Sequence, residues 1–181
     1  VSGYALRFAY ADPPYPGTAA RYYKDQPSYA GEVDHHTLIA GLSARLASGE
    51  LAGFALSTSE KALHWILPLM PPGTRTCPWV KAIGVTAATY GPHNTWEPLL
   101  VAGGRRRQGV RQRDWLCAHP ARGGDLPGRK SLRFCAFLFA QLGLEPGDTL
   151  EDMFPGSGIV GRAWADSCAR AASRDRIRVA D

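Results

Sequence analysis

The sequence is poor in cysteine, in long apolar runs and in repeats. Its 181 residues hold four cysteines, Cys77, Cys117, Cys135 and Cys168, far apart and with no C-x-x-C pair. That spacing argues for buried or free thiols and against a disulfide framework. A zinc site on Cys117, His119 and distant partners is the weaker alternative, because paired ligands are missing, and no metal is expected. No apolar run approaches the roughly 20 residues that span a bilayer, so no membrane partner is expected. Val1-Ser2-Gly3-Tyr4 lacks the basic start and apolar stretch of a signal peptide, and the expectation is a cytoplasmic protein. Without repeats or low-complexity segments, residues 1–181 suit a single domain.

What the sequence does have is concentrated charge. The formal net charge is only +5, but Arg105, Arg106, Arg107, Arg111 and Arg113 fall within nine residues. Arg122, Arg129, Lys130 and Arg133 follow shortly after. Such a stretch is either a solvated basic loop or an electrostatic footprint for phosphates.

Periodicity supplies the elements. Tyr4 to Ala11 is strand-like and runs into Asp12-Pro13-Pro14-Tyr15-Pro16-Gly17, which must stop it. Asp34 can cap a helix from His36 to Ala47, with Leu38, Ile39, Leu42 and Leu46 on one face. Gly53 to Thr58 reads as a buried strand, and Ser59 as the cap of a second helix ending at Pro71-Pro72-Gly73. Arg75 to Ile83 and Thr95 to Val101 read as strands, and about 103–129 as an exposed, glycine- and arginine-rich insert. A helix is predicted over Ser131 to Leu142, a short strand over Thr149 to Asp152, and a helix from Ile159 to about Ala171. Arg176 to Val179 suits a final strand. Alternating strands and helices predict an α/β fold, mostly parallel, with helices on both faces.

Two motifs carry chemistry. In Asp12-Pro13-Pro14-Tyr15, consecutive prolines stiffen a turn at the carboxyl end of a strand, where open α/β sheets bind ligands. A purine amino group there is a poor nucleophile, because its lone pair is delocalised into the ring. The Asp12 carboxylate and the Pro13 carbonyl can accept its hydrogens and stabilise the charge that develops on attack. Tyr15 offers a face for stacking a flipped base. The plain alternative is a strand-ending turn with an acidic cap. The second motif, Asp152-Met153-Phe154-Pro155-Gly156-Ser157-Gly158, is strand, glycine turn, then helix. Its glycines let backbone approach a ligand, and the helix start turns amides towards a carboxylate.

Together the two motifs resemble the amino-methyltransferase family that modifies adenine N6 or cytosine N4. Asp12, Pro13, Pro14 and Tyr15 resemble its catalytic tetrapeptide. Asp152, Met153, Phe154, Gly156, Ser157 and Gly158 resemble its S-adenosylmethionine motif. With the catalytic motif first and the cofactor motif last, the order is similar to the circularly permuted beta group of DNA amino-methyltransferases. The resemblance implies a Rossmann-like methyltransferase sheet and a basic recognition-like insert. It implies nucleic-acid binding by Arg105, Arg106, Arg107, Arg111 and Arg113, and double-stranded DNA as partner. Lys130 and Ser131 resemble the segment that helps bind the methionine end of the cofactor, although relatives carry Lys-Pro there. Cys77 to Lys81 and Trp96-Glu97-Pro98 resemble the family's later strands. Either Asp175 or Asp181 could hold the cofactor ribose.

The expectation from the resemblance is transfer of a methyl group to adenine N6 in DNA. Cytosine N4, RNA adenine, a protein amide, or a catalytically silent nucleic-acid-binding subunit are its alternatives. A homodimer or partner subunit is compatible with it. Among weaker features, His35-His36 read as capping and solvent-facing residues in preference to metal ligands, and Trp65, Trp79, Trp96 and Trp164 as packing residues. Tyr22, Tyr23 and Tyr29 could either pack or hold a flipped nucleotide.

Overall fold

A computed structural model describes residues 4–17, 31–81, 94–106, 109–121 and 129–179, with side chains up to residue 173. Six strands, β1 (Arg7–Ala11), β2 (Gly53–Ser57), β3 (Arg75–Val80), β4 (Trp96–Gly103), β5 (Leu116–Cys117) and β6 (Thr149–Asp152), form one sheet. Their order is β5-β3-β4-β2-β1-β6. β1 pairs in parallel with β2 and β6, and β3 with β5, while β4 runs antiparallel to both of its neighbours. The sheet is therefore mixed, with β4 the one reversed strand among those described.

Both faces are covered. Phe8, Tyr10, Cys77, Trp79, Leu99 and Val101 pack with helices α3 (Leu132–Leu142) and α4 (Ile159–Val179). Ala9, Ala11, Phe54, Leu56, Leu100 and Ala102 pack on α1 (His35–Ala47) and on the turns around Ala62 and Ile66. Burial on both sides explains why Phe8 to Ala11 and Gly53 to Ser57 are almost wholly apolar, without the alternation of a half-exposed strand.

Capping begins two of the helices. The Asp34 carboxylate accepts from the amides of His36 (3.0 Å) and Thr37 (3.2 Å). The Ser131 hydroxyl accepts from the Phe134 amide at 3.3 Å, and α3 ends on Gly143 at φ 71°.

Three expectations are corrected. The second helix is broken into a 3-10 turn (Glu60–Ala62), one α turn, α2 (Leu63–Ile66), and another 3-10 turn (Leu67–Leu69). Ser59 makes no side-chain cap there, and Pro68 removes an amide from the ladder. The expected final strand at Arg176 to Val179 is instead the end of α4, which runs 21 residues. Only Val179 and Ile177 in that stretch are β-branched, and arginines and alanines before it favour helix. Within the basic insert, where no element was expected, Leu116 and Cys117 form a strand on β3, while residues 109–115 are exposed as expected. Among the described residues no helix is long and apolar enough to cross a membrane.

Candidate active site

The chain leaves β1 towards β2 over the α1 face, and reaches β6 from α3 on the other face. Its course therefore reverses between β1 and β6, and ligands of open α/β sheets bind at the carboxyl ends of the strands flanking such a point. Register places Tyr10 opposite Asp152, so Asp12 and Asp152 emerge at neighbouring strand ends. The Met153 amide donates to the Tyr10 carbonyl at 2.9 Å and holds the two exits together. Below them the Tyr10 hydroxyl bonds Ser57 Oγ at 2.9 Å.

Asp12 does not stand alone. The Lys130 ammonium lies 3.1 Å from Asp12 Oδ1 and 3.0 Å from Glu97 Oε2. Lys81 donates to the other Glu97 oxygen at 2.6 Å. Lys130 and Glu97 are each only 5% exposed, whereas a quarter of the Asp12 side chain reaches solvent. Lys130 also sits 5.3 Å from the Trp79 ring centre and 5.2 Å from that of Phe134.

Burial and charge set the protonation states. Burial raises the Asp12 carboxyl above its ordinary value; Lys130 pulls it back and Glu97 pushes it further up. Glu97 moves the other way: burial would raise it, but Lys130, Lys81 and Tyr15 outweigh that and hold it low. Burial would lower Lys130, yet Asp12 and Glu97 raise it, so it stays an ammonium. Asp152 is raised by burial and by the Asp12 charge, and its Oδ1 is buried without a hydrogen-bond partner among the described residues. Burial, with Asp12 and Glu97 nearby, puts Tyr15 well above the ordinary phenol value, so it remains a donor.

The glycine turn after β6 has Gly156 at φ 47° and Gly158 at φ 69°. Among the described residues, a Cβ at Gly156 would meet only the Phe154 carbonyl oxygen, at 3.9 Å, so the space beside it is open. At Gly158 a Cβ would fall 2.8 Å from the end of Arg162, whose guanidinium donates to the Ser157 carbonyl at 2.7 Å. Met153 and Phe154 lean to the α1 side of the sheet.

The geometry brings Asp12, Pro13, Pro14, Tyr15, Asp152 and Lys130 to one edge. Ser131 lies beside them, its hydroxyl engaged as the α3 cap. The basic stretch begins elsewhere. Gly103 pairs with Gly53 at the start of β2, so Arg105 lies at the amino edge, across the sheet from Asp12. Arg105 is two-thirds or more covered and grips Asp148 through Nη1 (2.6 Å) and Nη2 (2.9 Å). Arg106, Arg111 and Arg113 are exposed, and Arg113 stacks 5.1 Å over the Trp115 ring. Arg107, Arg122, Asp181, Tyr22, Tyr23 and Tyr29 lie outside the described residues, as does the side chain of Asp175.

His35 is buried, contrary to the solvent-facing expectation, with Nδ1 on the Val33 carbonyl (2.8 Å) and its ring against Trp65. Trp79 is wholly buried and donates to the Ala118 carbonyl, and Trp164 packs on Phe139. No group of three metal-ligating side chains occurs among the described residues.

Reading the sequence missed the role of Glu97 and Lys81. The available signal was a single acid in the apolar run from Trp96 to Gly103 and a lysine directly after β3. A charge at the end of a buried strand needs a partner. Compared with known families and curated proteins, the chain matches no family model and no curated sequence.

Proposed function

We propose that this protein is an S-adenosylmethionine-dependent methyltransferase acting on an exocyclic amino group of a nucleic-acid base, adenine N6 in DNA. The observation that carries the reading is the pairing of the two motifs. Asp12-Pro13-Pro14-Tyr15 and the Asp152 to Gly158 turn leave adjacent parallel strands at the reversal point. The strand order, with one reversed strand, supports a Rossmann-like methyltransferase sheet read in circularly permuted order.

The residues of the glycine turn fit the cofactor. Asp152 Oδ1 is buried and lacks a partner among the described residues, Gly156 opens a space beside the backbone, and the turn leads into α4. Asp152, Met153, Phe154, Gly156, Ser157 and Gly158 would hold it. When bound it supplies an electrophilic methyl group. Lys130 is committed to Asp12 and Glu97, so any bond it makes to the cofactor adds to those two.

The chain's own part is to make an amine nucleophilic. Lys130 occupies one Asp12 oxygen, and a carboxylate has a second to offer an amino hydrogen. The Pro13 carbonyl takes the other hydrogen, which favours a pyramidal nitrogen and stabilises its growing positive charge. Tyr15 gives the base a stacking face. After transfer the nitrogen carries one proton too many, and Asp12, its affinity for protons raised by burial, is a competent acceptor.

Incubation with methyl-labelled cofactor and mixed DNA and RNA, followed by nucleoside analysis, tests the reading. Label in N6-methyladenine of DNA is expected. Cofactor binding without transfer to any nucleic acid would instead indicate a silent subunit, and absence of both would remove the reading.

A further inference from the structure

We propose that Glu97 is a positioning residue that sets both ends of the Asp12–Tyr15 turn from outside it. The inference rests on the methyltransferase reading for its meaning, and on the Glu97 contacts for its geometry. β4 runs opposite to its neighbours, so its second residue, Glu97, arrives at the edge where β1 ends. From there one carboxylate acts on the turn twice. Through Oε2 it fixes Lys130, whose ammonium holds Asp12 Oδ1; a second, direct tether to the Tyr15 hydroxyl, one of the groups that hold Glu97 low, is part of what is proposed.

Both tethers are needed because the turn is stiff in backbone but not in side chain. Pro13 and Pro14 fix two φ angles, while the Tyr15 ring and the Asp12 carboxylate keep their own rotations. A ring anchored at its hydroxyl presents one face, and a carboxylate anchored at one oxygen presents the other oxygen in one direction. Lys81, bound at 2.6 Å, balances the second oxygen of Glu97. A buried carboxylate persists only when its lone pairs are matched by donors, and here two ammoniums and a phenol supply them.

The requirement is for charge and not only for size. A glutamine at 97 has one acceptor oxygen and would point an amide donor at a lysine. It would keep the fold's volume and lose at least one tether.

The test compares wild type, Glu97→Gln, Tyr15→Phe and the double variant in labelled-methyl transfer to DNA, with cofactor affinity read separately by calorimetry. Glu97→Gln should lower kcat by tenfold or more and leave cofactor Kd within about threefold. Tyr15→Phe, which keeps the ring and removes the anchor, should lower kcat by fivefold or more. The double variant should lose less than the product of the two single losses, because Glu97→Gln already weakens the tether that Tyr15→Phe removes. Losses that multiply in full, or wild-type kcat in either single variant, overturn the proposal. If Glu97→Gln does not fold, Tyr15→Phe alone decides the direct tether by the same criterion. Crystal structures of wild type and Glu97→Gln need no activity: a displaced or disordered Tyr15 ring supports the proposal, and an unmoved ring overturns it. A wild type that methylates nothing removes the methyltransferase reading, and the crystal comparison still judges the tether.

Discussion

Arg105 holds Asp148 by both guanidinium nitrogens across 43 residues of sequence, at 2.6 and 2.9 Å. The same carboxylate accepts the amides of Leu6 (2.9 Å) and Glu145 (2.7 Å). One arginine of the basic stretch is therefore a clamp on the start of β1 and the turn before β6. Arg105→Ala should destabilise the fold by about 3 kcal/mol, because it leaves a buried charge half-satisfied. Burial would raise Asp148, but the bonds from Arg105, Leu6 and Glu145 outweigh it and lower its pKa. Its contribution is then present above the ordinary carboxylate pKa and is lost as pH falls through the depressed folded value. Thermal melts of the variant and wild type should converge in acid. A gap that persists at low pH would contradict this.

Arg106, Arg111 and Arg113 are the exposed members and should behave differently. Their joint replacement by Ala should leave Tm within a degree or two, weaken binding about equally on all duplexes and flatten its salt dependence. Binding titrations at several salt concentrations measure it. Loss of preference for one sequence would show that these side chains read bases.

Asp12→Asn should abolish transfer while cofactor affinity stays within a few fold, and should not lower Tm near neutral pH. The folded Asp12 pKa is raised, so ionising it works against the fold as pH climbs from the ordinary value to the raised one. Removing that charge relieves the cost, a trade of stability for activity. In wild type the acid limb of kcat should lie above the ordinary carboxylate range. Lys130→Met should move it higher, since the ammonium lowers Asp12. A limb that stays in place would dissociate Lys130 from Asp12 ionisation.

Gly156→Val should block cofactor binding. Among the described residues, chain neighbours aside, nothing stands closer than 3.9 Å to the new Cβ, so the fold bears only the strain of φ 47°. The side chain would fill the space beside the turn. Calorimetry on the folded variant decides; unchanged affinity would move the cofactor elsewhere.

Gly143→Ala is a control at the other edge. A Cβ there would run into the Arg105 carbonyl oxygen, and φ is 71°. A loss of several degrees in Tm is expected, and an unaffected melt would contradict that close approach.

Much of this was legible in the sequence because it rested on local rules. Asp34 and Ser131 cap helices that periodicity had outlined, and two prolines end β1 where they must. The glycine turn before α4 was visible as well. The reversed direction of β4 was not, because the apolar run Pro98 to Ala102 reads alike in either direction. Without that direction Glu97 could not be placed beside Asp12. Arg105 was misleading for a related reason: five arginines look alike in sequence, and only the return of β6 supplies Asp148 to one of them. The broken helix at Pro68 and the long α4 were propensity questions, and local composition had pointed only partly to the outcome.

The edge built by β1, β3, β4 and β6 gathers three carboxylates, Asp12, Glu97 and Asp152, against two ammoniums, Lys81 and Lys130. With all five ionised it keeps one formal negative charge in a region of low dielectric. Such a place discriminates by charge before it does so by shape. On the proposed reading, a cationic cofactor would be held there more firmly than the neutral product left after it gives up its charged group, so electrostatics would favour release after transfer and not before.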